Sequence, residues 1–76
     1  MRIHRSKQLT NMWQSMPHEI RRFVESLLIN QRPSGAAPIP EWPRRFEILL
    51  ASYWIIWQII EGGGETIILV RIEEEE

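Results

Sequence analysis

Apolar residues recur at helical spacing through Leu9, Met12, Trp13 and Met16, and again through Ile20, Phe23, Val24, Leu27 and Leu28. Positions i, i+3, i+4 and i+7 share one helix face, so each group predicts an amphipathic helix. Ser6 stands where an N-cap would, its hydroxyl able to accept from a free amide one turn on. Pro17 interrupts the pattern and suits the first turn of a second helix, where its missing N–H costs nothing. The polar face of that helix carries His18, Glu19, Arg21, Arg22 and Glu25. Two stripes joined at a proline predict an antiparallel helical hairpin. Ahead of it, residues 1–5 predict a short strand with Ile3 as its apolar member.

From Arg44 the period changes to two. Phe46, Ile48 and Leu50 alternate with Arg45, Glu47 and Leu49. Ala51-Ser52 then reads as a tight turn without the Asn-Gly signature. Residues 53–60 are apolar on both faces except Gln58, the pattern of a strand in the middle of a sheet. Gly62-Gly63-Gly64 predicts another turn. Residues 65–72 predict a third strand, rich in β-branched Thr66, Ile67, Ile68, Val70 and Ile72. Between helices and strands, residues 30–43 hold four of the five prolines. They predict a loop running back to the sheet.

Composition narrows the class. With 76 residues the chain is one domain, and a domain of that size buries only about 60% of its unfolded surface. The apolar fraction of 43% is that of a folded chain, not a disordered one. Four Trp strengthen a small core, since each buried indole removes roughly 150–250 Å² from water. The absence of Cys excludes disulfides and thiolate metal sites and fits a cytoplasmic location. No segment reaches the roughly 18 apolar residues of a membrane span, so no membrane partner is expected. The basic residues near the N-terminus precede no apolar run, so no secretory signal is read there. The formal net charge of −1 provides no overall surplus for gripping phosphates. Basic residues concentrate before Glu47, while residues 73–76 are all Glu and read as a solvated acidic tail.

The element order is β-α-α-β-β-β, and several local motifs accompany it. A Met16-Pro17 step ends the first helix, and Glu19-Ile20-Arg21-Arg22 opens the second. A Pro- and Gly-containing loop follows at Gln31-Arg32-Pro33-Ser34-Gly35-Ala36. The hairpin reads Phe46-Glu47-Ile48-Leu49-Leu50-Ala51-Ser52-Tyr53-Trp54-Ile55-Ile56-Trp57-Gln58-Ile59. An acidic, Gly-rich turn and a final apolar strand complete the set. This ordered set resembles the RelE/ParE superfamily of bacterial toxin–antitoxin toxins, over nearly the whole chain. The resemblance implies an α+β fold: a helical hairpin packed on a small curved antiparallel sheet, in a single domain over residues 1–76.

The departures from that family bear on function. Its ribosome-dependent nucleases use Arg, Lys, His or Tyr on the concave sheet face to activate the RNA 2′-OH and stabilise charge at phosphate. The matching positions here are Glu47, Leu49 and Trp54. An acid, an aliphatic and an indole cannot clamp a phosphate. The family's late basic or aromatic residues correspond to the acidic residues 73–76. The remaining candidates for phosphate or catalytic contact are Arg45, Glu47 and Arg71. Arg44 and Arg45 read more simply as solvated strand-edge charges, and Arg71 as the partner of a nearby Glu. His4 and His18 have no convergent ligands, so no metal is expected. Neither a phosphate loop nor a nucleophile–base pair is present, and no cofactor is implied.

Alternation also defines an apolar set. Leu49 projects opposite Phe46, Ile48 and Leu50, and Trp54 and Ile56 project opposite Tyr53, Ile55, Trp57 and Ile59. If the Tyr53/Trp57 face meets the helices, Leu49, Trp54 and Ile56 form a patch on the other side. Such a patch marks a partner-binding surface, unless the loop with Pro38, Ile39, Pro40 and Trp42 folds over it.

Two classes of function follow. One is a toxin of a toxin–antitoxin module, catalytically degenerate and acting through protein binding. The resemblance implies a cognate antitoxin partner and a target that is either DNA gyrase or the ribosome. An intact ribosome-dependent mRNA endoribonuclease that inhibits translation is the alternative within it. The other class is a non-toxic interaction module, dimeric or in complex through Leu49, Trp54 and Ile56.

Overall fold

A computed structural model describes residues 2–60 and 66–75. The chain forms β1 (Arg2–Arg5), α1 (Lys7–Trp13), α2 (His18–Ser26), β2 (Ala37–Pro38), β3 (Arg45–Leu50), β4 (Tyr53–Ile60) and β5 (Thr66–Glu74). The strands make one five-stranded sheet in the order β1-β5-β4-β3-β2. The expected α+β class is therefore present, with the helices on one face of the sheet.

Ser6 caps α1 as its sequence position predicts, accepting from the Leu9 amide at 3.2 Å. The helix ends at Trp13, a turn earlier than the apolar stripe. Met16 precedes Pro17, and a residue before proline is pushed out of the helical region. Met16 is nevertheless buried in the core. Pro17 is the N-cap of α2 rather than a residue of its first turn. Its carbonyl accepts from the Ile20 and Arg21 amides.

Leu9, Met16, Ile20, Val24 and Leu27 close over Ile55, Trp57, Ile59, Ile67, Leu69 and Ile72 to form the core. The Tyr53/Trp57 face of the sheet is thus the one that meets the helices. Trp57 is fully buried at its centre. Phe23 meets it edge-on with ring centroids 5.9 Å apart, and Phe46 stacks on it at 6.2 Å. Its Nε1 donates to the Gln31 carbonyl at 2.9 Å, so the buried indole keeps a polar partner. That bond ties the Pro-rich loop to the sheet.

The sheet differs from the expected one in three ways. It is mixed, because β1 pairs with β5 in parallel while every other pair is antiparallel. The β3–β4–β5 meander leaves the outer edge of β5 for β1, and the long connection a parallel pair needs is made of both helices together with β2, β3 and β4. The Pro-rich loop contains a two-residue strand, β2, paired with Phe46 and Glu47. Pro38 is tolerated there because β2 is an edge strand. Finally, β5 runs to Glu74, so Glu73 and Glu74 belong to the sheet rather than to a tail. They pair with Trp54 and Tyr53, and the Glu75 amide donates to the Ser52 carbonyl at 2.7 Å.

Ala51 and Ser52 link β3 to β4 with φ values of 49° and 68°, both in the left-handed region. Two positive φ angles in a two-residue link match the twist of a β-hairpin. The turn expected at Gly62-Gly63-Gly64 lies outside the described residues, as do Met1, Glu61, Glu65 and Glu76.

Candidate interaction face

The sheet face away from the helices is organised in three cross-strand rows. Leu49, Trp54 and Glu73 form the first, Glu47, Ile56 and Arg71 the second, and Arg45, Gln58 and Ile68 the third. Directly opposite residues of antiparallel strands project to the same side, so the expected patch residues Leu49, Trp54 and Ile56 are brought together. Leu49 is 44% exposed, while Trp54 and Ile56 are half-buried. The same face also carries all three candidate catalytic residues, Arg45, Glu47 and Arg71.

Those candidates are not free to act as a simple cation cluster. Arg45 is half-buried rather than a solvated edge charge. Its Nε and Nη2 both donate to Gln58 Oε1, at 3.2 and 2.7 Å. Its guanidinium also lies over the Trp42 ring, 4.2 Å from the centroid. Stacking on an aromatic face is a cation–π contact, roughly 0.5–2 kcal/mol according to exposure. Arg71 lies 3.6 Å from the Glu73 carboxylate, with both side chains more than half exposed. Glu47 sits on the other side of Ile56 from Arg71.

The Pro-rich loop covers one end of this face. The Ile39 amide donates to the Arg45 carbonyl, and the Arg45 amide donates to the Trp42 carbonyl. Ile39, Trp42, Arg45, Ile56, Val70 and Arg71 line a hollow of about 360 Å³. The loop therefore shelters the Arg45 end and leaves the Leu49 end open. Trp42 remains 51% exposed, with its ring applied to Arg45. Sequence pattern left open whether the loop with Trp42 folds over the face, and could not reveal its stacking, which depends on the turn at residues 39–44.

Arg45 and Arg71 reach the same hollow from β3 and β5. Two carboxylates, Glu47 and Glu73, share their face. Their field weakens attraction for a polyanion. His4 is exposed on β1, beside Ile68. His18 Nδ1 lies 3.4 Å from Arg21 Nη2 on α2, on the opposite side of the molecule. Among the described residues no three His, Cys, Asp or Glu side chains gather to hold a metal ion. No helix among them is long and apolar enough to cross a membrane.

The fold and this face define a small α+β domain with one side of its sheet partly uncovered. No protein-family model and no curated protein matches the sequence.

Proposed function

We propose that the chain is a RelE/ParE-like toxin component of a toxin–antitoxin module that acts by binding protein and not by cleaving RNA. The observation that carries this reading is the composition of the uncovered sheet face. Its middle strand presents Trp54 and Ile56, and Leu49 extends them onto β3. A nuclease needs unengaged cations aimed at the scissile phosphate. Arg45, the best placed cation, already spends Nε and Nη2 on Gln58 and its π-face on Trp42. Apolar and aromatic side chains surrounded by charged neighbours suit the centre and rim of a protein interface. The cognate antitoxin, and a target such as DNA gyrase, would compete for that face.

Ribosome-dependent mRNA cleavage is the second reading. What favours it is the shared hollow lined by Arg45 and Arg71. The two readings separate in a cell-free translation extract supplied with the purified chain. Protein binding predicts intact mRNA by primer extension, whether or not synthesis slows. Breaks at the ribosomal A site, lost on Arg45→Ala or Arg71→Ala, would establish the nuclease instead.

A further inference from the structure

The second half of β5 has a bare edge. β1 pairs with β5 only from Thr66 to Leu69, after which the chain turns away into α1. Among the described residues no strand lies beside the outer edge of β5 from Val70 to Glu74. The Glu75 amide bonds to Ser52 on the β4 side. Strand alternation therefore turns the N–H and C=O of Ile72 and Glu74 outward. A groove of about 660 Å³, walled by Leu9 and Met12 of α1, runs along this edge. Unpaired edges are templates for another strand, and charged residues usually guard them.

Here the charges form their own complement. We infer that two copies of this chain pair through the free edge of β5, antiparallel about Ile72, to make one continuous sheet. That register sets the outward groups of Ile72 opposite those of Ile72 in the second copy. It also sets Arg71 of each copy opposite Glu73 of the other, on the same sheet face. Both fall at non-hydrogen-bonded positions, where facing side chains are closest. Shifting the register by one step along each strand would keep Arg71 opposite a carboxylate, Glu75, but would oppose Glu73 to Glu73, so the Ile72-centred alignment avoids one like-charge pair. The internal Arg71–Glu73 contact is exposed and loose at 3.6 Å, so exchanging one in each copy for two across the pair costs little. Glu75 of the second copy then runs toward the end of β1, where Arg5 and Lys7 are exposed. The half-exposed Met12 gains cover from the added strand. This contact runs along the sheet edge, and its Arg71 and Glu73 side chains border the Leu49/Trp54/Ile56 face.

The test is sedimentation equilibrium of the full chain from micromolar to millimolar concentration, with the fold of each variant checked by circular dichroism. The wild type is expected to dimerise. Arg71→Glu and Glu73→Arg should each weaken the dimer about tenfold or more, since each creates two like-charge oppositions. The double variant R71E/E73R should restore it. A wild type that stays monomeric overturns the inference. So does a dimer insensitive to the single reversals, or one not rescued by the double variant.

Discussion

Arg45 reaches across the β3–β4 ladder to Gln58, giving Nε and Nη2 to the one acceptor Oε1 at 3.2 and 2.7 Å. The two residues are direct cross-strand partners, so the contact needs no backbone movement. Gln58→Leu keeps the side-chain bulk and removes the acceptor. It should cost about 1–2 kcal/mol, because a half-buried charged donor loses its partner. Urea unfolding of the two proteins measures the difference. Equal midpoints would mean that the Arg45 guanidinium is satisfied by water.

The same pair explains what the sequence could and could not reveal. The alternation of Phe46, Ile48 and Leu50 with Arg45, Glu47 and Leu49 sorted β3 onto two faces correctly, because a strand has a period of two. It could not show that Arg45 is engaged. That depends on register with Gln58, thirteen positions away, and on the stack with Trp42. The β3–β4 hairpin and most of the helical core stripe were legible for the same local reason, although Met12 and Leu28, read as stripe members, stay exposed. The parallel docking of β1 on β5 was not, since no local pattern distinguishes parallel from antiparallel pairing at a sheet edge. Likewise Glu73 and Glu74 looked like tail from composition alone. Their strand conformation comes from pairing with Trp54 and Tyr53.

Trp57 anchors both the helices and the Pro-rich loop. Trp57→Phe preserves much of the packing but abandons the Gln31 carbonyl. It should destabilise the domain by about 1–3 kcal/mol. Trp57→Ala would open a cavity worth about 3–5 kcal/mol, a large share of what a domain of this size possesses. Thermal denaturation should show a lowered midpoint for the first and little or no cooperative unfolding for the second. A Trp57→Ala protein as stable as the wild type would contradict the assigned core.

Ala51 and Ser52 hold left-handed backbone without being glycine or asparagine. Each such residue costs roughly 1 kcal/mol relative to glycine. Replacing the pair with Asn-Gly should therefore stabilise the protein by about 1–2 kcal/mol. The readout is a shift of the urea midpoint to higher concentration at unchanged slope. A destabilised variant would show that the Ala51 methyl or the Ser52 hydroxyl makes a contact that matters more than backbone strain.

The central claim is that the uncovered sheet face acts through Leu49, Trp54 and Ile56 and not through its arginines. Growth inhibition on induced expression in bacteria tests it most directly, comparing Trp54→Arg with the double variant R45A/R71A at matched protein levels. Inhibition by the wild-type chain, retained by R45A/R71A and lost with Trp54→Arg, is the predicted result. Inhibition that survives Trp54→Arg and disappears with the two arginines would contradict the account.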